Sequence, residues 1–285
     1  MGETAALDLE GLRQWVGRSE TAQDTITPRL EASFRATLDR PPGQPAVGDP
    51  ATLGVHWCLA PPIVPTEALG DDGHPRRGGF LPPVPLPRRM WAGGELVFEA
   101  PFQVGDVVTR RSQIEDVVIK EGRSGTMCFV TVRHSWMTQR GAALEERQDI
   151  VYRHADAGRP AAPVNDAVSQ PQPSCQRVWP CDPVLLFRYS ALTFNGHRIH
   201  YDYPYVTEVE GYPGLIVHGP LQATLLMGLA TEARGRTPTR FAFRGVAPLI
   251  AAGPFVGKAG PTDEGLRLWI ENADGRTTMT ADALW

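Results

Sequence analysis

Residues 216–235 read IVHGPLQATLLMGLATEARG, a pattern typical of one largely buried helix. A proline at the first helical position and a glycine just past the last one are common helix boundaries. They predict a helix from Pro220 to Arg234, with Gly235 as its C-cap. Its inward face would carry Leu221, Leu225, Leu226 and Leu229. Four strand-like segments follow, at 239–246, 253–258, 266–272 and 277–284. A helix followed by successive strands predicts an antiparallel sheet wrapped on that helix.

The first half of the chain has the same order of elements. Thr27-Pro28 is a helix start, and the helix ends at Pro41-Pro42. Residues 41–90 are rich in proline and glycine and give no assignment. Strands are then predicted at 95–100, 105–114, 126–134 and 148–153. The repeated order predicts an α+β chain of two similar units, 1–155 and 184–285, joined by a proline-rich linker at 156–183.

Composition narrows the class of protein. The 285 residues carry a net charge of -4, which argues against a general nucleic-acid binder. We find no apolar run of the length, about 18 residues, that a membrane span needs, and no pattern of a secretory signal. None of the cysteines forms a CxxC pair, so we expect reduced thiols and a cytoplasmic location. The cysteines are Cys58, Cys128, Cys175 and Cys181.

The candidate chemistry lies in residues 189–202, YSALTFNGHRIHYD. His200 is the first candidate for a general acid or base because an imidazole titrates near neutral pH; the alternative is a buried histidine bonded to the backbone. Asn195 could hold a water or a carbonyl through its amide, or could merely form an Asx turn. His197 and Asp202 could orient the other groups, or could be turn and helix-start residues.

The turn His218-Gly219-Pro220 could stabilise an anion. Gly219 would let a ligand approach the backbone, and the helix start would stabilise the oxygen of a thioester enolate. The alternative is a tight loop without a ligand. His197, His200 and Asp202 are metal-ligand types, but nothing completes a ligand set, so we expect no metal site. Without a G-x-S-x-G elbow, an α/β-hydrolase with a Ser-His-Asp triad is excluded.

Arginines crowd two stretches that are rich in glycine, proline and aromatic residues, 73–80 and 87–94. Arginine forks bind phosphates and carboxylates, both of which an acyl-CoA can offer. The alternative is solvated surface charge, although the neighbouring residues favour shaped loops. The predicted substrate-binding or CoA-binding residues are Arg76, Arg77, Arg88, Arg89, Trp91 and Arg198.

The segment 189–202 resembles, without a gap, the motif Y-x-x-L-[ST]-x-D-x-N-P-x-H-x-D of MaoC-type (R)-specific enoyl-CoA hydratases. His200 falls on the family's catalytic histidine and Asp202 on the aspartate that follows it. Asn195 stands where the family has a catalytic aspartate, and His197 replaces the family's asparagine. The resemblance therefore implies that His200 is catalytic and that Asn195 replaces a carboxylate.

The segment 216–219 is similar to the family's V-H-G turn, whose glycine N–H lies in the oxyanion hole. That resemblance implies the same role for Gly219, with His218 and Tyr189 as supporting residues. The stretches 76–83, RRGGFLPP, and 88–94, RRMWAGG, extend the resemblance to a two-hotdog subgroup. Within this subgroup, mesaconyl-C4-CoA (3-methylfumaryl-CoA) hydratases, itaconyl-CoA hydratases and mitochondrial 3-hydroxyacyl-ACP dehydratases are similar, and an asparagine at the position of Asn195 is normal.

The resemblance implies a double hotdog fold, in which each half is a curved antiparallel sheet around a central helix. The first half would bind substrate and the second would carry the catalytic motif. The implied reaction is reversible hydration of the C2=C3 bond of a short branched dicarboxylic enoyl-CoA, with no cofactor. A homodimer is possible, and the oligomeric state stays open. The alternatives are an acyl-ACP dehydratase, an acyl-thioester binding protein without turnover, and a thioesterase. The acyl group, the carrier, the stereochemistry and the part of His197 in proton transfer stay open.

Overall fold

A computed structural model describes residues 7–122, 125–154 and 170–285. The helices are α1 (Leu9–Arg13), α2 (Pro28–Thr37), α3 (Pro183–Thr193) and α4 (Gly219–Arg234). The strands of the first half are β1 (Ser19–Thr25), β2 (Arg88–Phe98), β3 (Val107–Gly122), β4 (Gly125–Thr138) and β5 (Gly141–Arg153). Those of the second half are β6 (Cys175–Trp179), β7 (Arg240–Gly245), β8 (Phe255–Pro261), β9 (Gly265–Glu271) and β10 (Thr277–Leu284).

The ten strands form one antiparallel sheet in the order β1-β3-β4-β5-β2-β7-β10-β9-β8-β6. Each half has the same internal order, read outward from β2 in the first half and from β7 in the second. The two halves meet where β2 pairs antiparallel with β7, with Leu96 opposite Phe241. The two predicted sheets therefore form one continuous sheet. Because β2 pairs with β7, neither strand is left as a free edge.

Helix α4 is the central helix of the second half. It contacts strands β6 to β10, and most of its residues are buried, including Leu221, Leu226 and Met227. Thr27 caps α2 by accepting a hydrogen bond from the Leu30 N–H (3.0 Å), as its sequence predicts. The predicted helix at 220–234 is confirmed, and each predicted strand lies mainly within an observed one.

The helical spacing of Leu9, Leu12 and Trp15 predicts α1, whereas β1, β6 and α3 escaped prediction. β1 is polar (SETAQDT) and has no buried face, so its sequence lacks the apolar alternation that marks a strand. Strand β6 lies within the predicted linker 156–183, where prolines on both sides obscured it. Residues 156–169 of that linker lie outside the described residues, so the predicted limits of the two units stay a prediction.

The stretch 88–94 was predicted as a loop but is the first part of β2. Its pairing with β5 shifts register between Trp91 and Gly93, which is the mark of a bulge. A Cβ on Gly93 would lie 2.5 Å from the Phe243 carbonyl oxygen, and one on Gly94 would lie 2.4 Å from that of Arg147. The glycines that suggested a loop thus allow close strand packing.

The sequence predicts reduced cysteines and no membrane-spanning segment. All four cysteines are free thiols, and three of them are buried, so no disulfide constrains the fold. Within the described ranges, no helix is long and apolar enough to cross a membrane.

A buried carboxylate in the first half accepts hydrogen bonds from two tryptophan side chains. Glu146 on β5 is 2 % exposed and accepts hydrogen bonds from the indole N–H groups of Trp57 and Trp136, each at 2.9 Å. Burial alone would raise the pKa of Glu146, but the nearby His134 and His56 and the two indole donors lower it. Trp57 also packs edge-on against Trp91 at 5.1 Å, so this carboxylate supports the residue that reaches the second half.

We expect Glu146→Ala to lower the free energy of unfolding by about 3 kcal/mol, because a buried and a partly buried indole donor would lose a charged acceptor. The neighbouring Glu145→Ala is the control. Glu145 is partly exposed and accepts one hydrogen bond from the Ser135 hydroxyl, so its loss should cost less than about 1 kcal/mol. Urea unfolding measures both variants, and equal midpoints would contradict this account of Glu146.

Candidate active site

The predicted catalytic segment is a compact turn between α3 and the start of α4. Helix α3 ends at Thr193, and Phe194 adopts a left-handed conformation with φ 50° that reverses the chain. The backbone N–H of Asn195 then bonds the Ser190 carbonyl at 2.8 Å. A short helical turn, Arg198–His200, follows and brings His200 against the strand-like residue Ile216. The turn therefore places two distant parts of the motif side by side.

His200 has a fixed tautomer. Its Nδ1 lies 2.7 Å from the Ile216 carbonyl oxygen, which can only accept, so Nδ1 carries the proton. The free lone pair is therefore on Nε2. Burial lowers the pKa of His200 to about 4, although the Ile216 carbonyl opposes the shift. At neutral pH His200 is a neutral imidazole that presents a proton acceptor.

His218 lies against one face of the His200 ring. The ring centroids are 3.6 Å apart and the planes differ by 19°, which is a stacked arrangement. His218 is fully buried, and its Nε2 lies 2.8 Å from the Ser190 hydroxyl. Burial and the neighbouring histidines hold the pKa of His218 well below its usual range. With Tyr189 packed on it at 5.0 Å, His218 stays neutral and supports the His200 ring.

Gly219 is the first residue of α4, and the predicted helix start is confirmed there. The first N–H groups of a helix have no acceptor within it, and the helix dipole favours negative charge at this end. A Cβ on Gly219 would lie 3.5 Å from Trp91 Cε3, an ordinary contact. Packing within the described chain does not demand glycine here, whereas close approach of a ligand would.

The contacts of Asn195 allow both predicted roles, an Asx turn and an amide donor. Its Oδ1 accepts a hydrogen bond from the His197 backbone N–H at 3.0 Å, which is the Asx turn. In the part of the chain that the structure describes, its amide nitrogen has no hydrogen-bond partner. An amide so arranged can donate a hydrogen bond to a water or substrate oxygen but cannot take a proton.

Asp202 and Arg198 neutralise each other. Arg198 donates to Asp202 Oδ2 through Nε at 2.9 Å, and Asp202 Oδ1 accepts from the Tyr205 N–H at 3.1 Å. The guanidinium also stacks over the Tyr205 ring at 4.1 Å. These contacts make Asp202 a supporting residue and leave Arg198 with a structural pairing, so its predicted contact with substrate stays a prediction.

The loop of the first half that carries the predicted Arg76 and Arg77 reaches the turn at residues 189–202, and it brings Asp72 and His74, which were not predicted as part of the site. The Arg198 N–H bonds the Asp72 carbonyl at 2.9 Å, and the Arg198 guanidinium bonds the Asp71 carbonyl at 3.0 Å. Gly73 has φ +86°, and a Cβ there would lie 1.9 Å from the Gly196 carbonyl oxygen. The two backbones touch at Gly73, which brings His74 into the site.

His74 and His197 extend the row of imidazole rings. The His74 ring lies 4.2 Å from that of His197, and the His197 ring meets His200 edge-on at 5.5 Å. Burial, with the nearby His74 and His200, lowers the pKa of His197 to about 2. The site thus contains four neutral histidines, from His218 through His200 and His197 to His74.

Asp72 orients His74. Asp72 Oδ2 lies 3.0 Å from His74 Nδ1, and Oδ1 accepts from the His74 N–H at 3.0 Å. Ligand atoms of Asp72, His74 and His197 lie within 4.8 Å of one another, a grouping of metal-ligand types that differs from the set considered in the sequence. Both oxygens of Asp72 are, however, hydrogen-bonded to His74, so the main role of the carboxylate is to orient the imidazole.

The predicted arginines divide by their partners. Arg77 braces its own loop through the Val84 and Leu86 carbonyls at 2.7 and 2.5 Å, and Arg76 bonds the Leu69 carbonyl at 3.1 Å. Arg88 pairs with Glu210 at 3.3 Å. Binding of substrate by these three residues stays a prediction.

Arg89 differs from the other arginines. Among the described residues it has neither backbone-carbonyl bonds like those of Arg76 and Arg77 nor a carboxylate partner like that of Arg88. Its guanidinium lies beside the Tyr152 hydroxyl, and its charge lowers the pKa values of His74 and His197 in addition to the effect of burial. Arg89 is therefore the cation of the set that is available to a ligand beside the imidazole row.

Comparison with known proteins adds the family. The model of hydroxyacyl-thioester dehydratase type 2 matches residues 54–251, which include His74, Arg89, His200 and Gly219. The chain belongs to this family. The matched range includes β2, β7 and the turn at residues 189–202.

Individual relatives agree with this family membership. Mesaconyl-C(4)-CoA hydratase of Chloroflexus aurantiacus is 44% identical over 273 residues, covering 94% of this chain and 95% of that protein. The mitochondrial hydroxyacyl-thioester dehydratase type 2 of Schizosaccharomyces pombe is 25% identical over 227 residues, covering 70% and 75%.

Solved structures confirm the double hotdog fold. A MaoC-like dehydratase has a TM-score of 0.69 at 16% identity, covering 96% of this chain and 99% of that one. A Mycobacterium tuberculosis protein described as a double hotdog has a TM-score of 0.54 at 16% identity, covering 94% and 96%. At such identities the likeness establishes the fold alone.

We expect Gly73→Ala to disturb the site more than Gly78→Ala. Both glycines have positive φ, at +86° and +88°, so both substitutions strain the backbone. A Cβ at Gly78 has 3.7 Å to its nearest neighbour, however, whereas at Gly73 it would collide with the Gly196 carbonyl. Thermal unfolding should show the larger loss of stability for Gly73→Ala, by at least about 1 kcal/mol; equal losses would contradict the docking of this loop.

Proposed function

We propose that this protein adds water reversibly across the C2=C3 bond of a dicarboxylic enoyl-CoA, with mesaconyl-C(4)-CoA as its substrate. The observation that carries this proposal is the 44% identity, over almost the full length of both chains, to the Chloroflexus mesaconyl-C(4)-CoA hydratase. The geometry supports it, because a neutral imidazole with a free Nε2 stands near an open helix start. On this proposal the protein is a hydro-lyase.

The proposed reaction begins at His200. Its Nε2 takes a proton from a water molecule held with the amide of Asn195, while the water oxygen bonds to C3. The C2=C3 electrons move towards the thioester oxygen, whose negative charge the Gly219 N–H and the α4 dipole stabilise. The enolate then takes the proton back from His200 at C2. Water and substrate supply every atom, so we propose no metal or redox cofactor.

The proposed proton transfer agrees with the neutral state of the buried histidine rings. A buried imidazolium is costly, so His200 returns its proton readily once the enolate has formed. Asn195 adds no charge in the position where the wider MaoC family places an aspartate. We therefore propose that the amide positions the water and that His200 alone carries the proton.

A dehydratase acting on acyl carrier protein is a second candidate. The family match and the similarity to the mitochondrial dehydratase of fission yeast favour it, since dehydration is the same reaction in reverse. Assays with matched CoA and carrier-protein thioesters separate the two.

A cytoplasmic location and a homodimer remain proposals, supported by the predicted reduced thiols and by the fold.

His200→Ala should lower kcat/KM for 3-methylfumaryl-CoA by about 10³-fold, because a general base contributes on that order. Binding of the CoA thioester should persist, since the Gly219 N–H and the arginines are unchanged. His154→Ala, a partly buried histidine at the end of β5 outside the site, is the matched control and should retain activity. Near-normal turnover by His200→Ala would sink the assignment.

The pH dependence of kcat/KM gives an independent test of His200. The base must be neutral, and burial lowers its pKa to about 4. The rate should therefore show no loss as the pH falls through 6.5, the ordinary histidine value, and should decline only near pH 4. Circular dichroism over the same range separates this decline from acid unfolding. A midpoint near 6.5 would show that the base is a different or a solvated histidine.

A further inference from the structure

We propose that His74 and Arg89, both from the first half of the chain, form an anion subsite that holds the free carboxylate of the acyl group. His74 lies on the loop that touches the catalytic turn, and Arg89 lies on β2. The inference rests on the proposed function only for the identity of the acyl chain. Its recognition step, a carboxylate beside a guanidinium and an imidazole, can be tested without turnover.

The position of the subsite follows from the row of imidazoles. The row begins at His218, the residue before Gly219, passes through His200 and His197, and ends at His74. In 3-methylfumaryl-CoA the free carboxylate is attached to C3, the carbon that water attacks. With the thioester oxygen at Gly219 and C3 at His200, the carboxylate extends towards the far end of the row.

The hydrogen-bonding state of His74 suits this role. Asp72 engages Nδ1 at 3.0 Å and so leaves Nε2 as the open atom. Within the residues that the structure describes, His74 Nε2 and both ring nitrogens of His197 have no hydrogen-bond partner. The side chain of His74 is 22% exposed, so a ligand can reach it from solvent.

Charge balance favours a carboxylate at this place. The groups that face His74 are Asp72 on its own loop, Arg77 and Arg89, and the two imidazoles His197 and His200. Arg77 is engaged by backbone carbonyls of its loop. With His74 neutral, Asp72 offsets one of the two guanidinium charges, and the other favours a bound carboxylate. Protonation of His74 at Nε2 would then give the ligand a second charged donor.

Substrate binding should therefore take up a proton. Burial, and then the positive charge of Arg89 and Arg77, lower the pKa of free His74 in spite of Asp72. A carboxylate at Nε2 stabilises the imidazolium and raises that pKa again. Between the two values the complex binds a proton that the free protein does not, so affinity for a dicarboxylic ligand falls as the pH rises through the higher one.

The test uses two saturated acyl-CoAs that cannot be hydrated. Succinyl-CoA places a carboxylate, and butyryl-CoA a methyl group, at the position in question. Isothermal titration should show that the wild-type protein prefers succinyl-CoA by about tenfold or more. His74→Asn, which cannot be protonated, and Arg89→Gln should each abolish the preference and leave butyryl-CoA affinity within about twofold. Arg29→Gln, an exposed arginine at the start of α2, is the charge control and should keep the preference.

A proton readout separates a direct role of His74 from a structural one. Succinyl-CoA should bind more tightly as the pH falls from about 8 to about 6. Titrations in buffers of different ionisation enthalpy should show uptake of a proton by the wild type and by Arg29→Gln. His74→Asn should show none, and butyryl-CoA should show none with any variant.

Each outcome decides the matter. Equal wild-type affinity for the two ligands, or a preference retained by either His74→Asn or Arg89→Gln, would overturn the subsite. A preference lost in both variants, with proton uptake lost in His74→Asn, would support it. Failure of the proposed function would give a different result: the wild-type protein would select succinyl-CoA but would not hydrate 3-methylfumaryl-CoA.

Discussion

The pairing of β2 with β7 is the contact on which the site depends. It makes one sheet of two similar halves and sets a strand that carries Arg89 and Trp91 beside the helix start at Gly219. The close approach needs Gly93 and Gly94, whose missing side chains make room for neighbouring backbone oxygens. The bulge after Trp91 changes the direction in which the preceding side chains point. Substrate recognition and proton transfer can thus come from different halves.

A second contact between the halves lies at the catalytic turn itself. The loop that contains Gly73 bonds the backbone of Arg198, and this contact delivers Asp72 and His74 to a row of rings that belongs to the second half. All four imidazoles are kept neutral, chiefly by burial. Because these rings carry no charge, a substrate that brings a carboxylate changes the electrostatics of the site at the moment of binding.

The sequence predicted the second half well and the first half less well, for physical reasons. Helix α4 has an apolar face, a proline start and a glycine end, and each of these signals is local. His200 could be ranked because it lies in a gapless motif, and Gly219 because it lies in a second motif, the V-H-G turn. The Asx turn at Asn195 and its possible role as a donor were both foreseen, and the structure allows both at once.

The contributions of the first half depend on contacts between distant residues, which no local pattern encodes. Residues 88–94 were taken for a loop because glycine and proline usually break strands, yet these glycines serve close packing inside β2. His74 escaped notice because its neighbours in sequence are loop residues, while its functional neighbour His197 lies more than a hundred residues away. Among the predicted arginines, the partners of Arg77 and Arg88 distinguish them from Arg89 only in three dimensions.

The central claim is that one neutral imidazole adds water to an enoyl thioester that carries a second carboxylate. Incubation of the wild-type protein with 3-methylfumaryl-CoA in ¹⁸O-labelled water, followed by mass spectrometry of the acyl-CoA, tests it most directly. The account predicts a product that gains one labelled water while its thioester stays intact. Release of free CoA without that adduct, or binding with no change in mass, would contradict it.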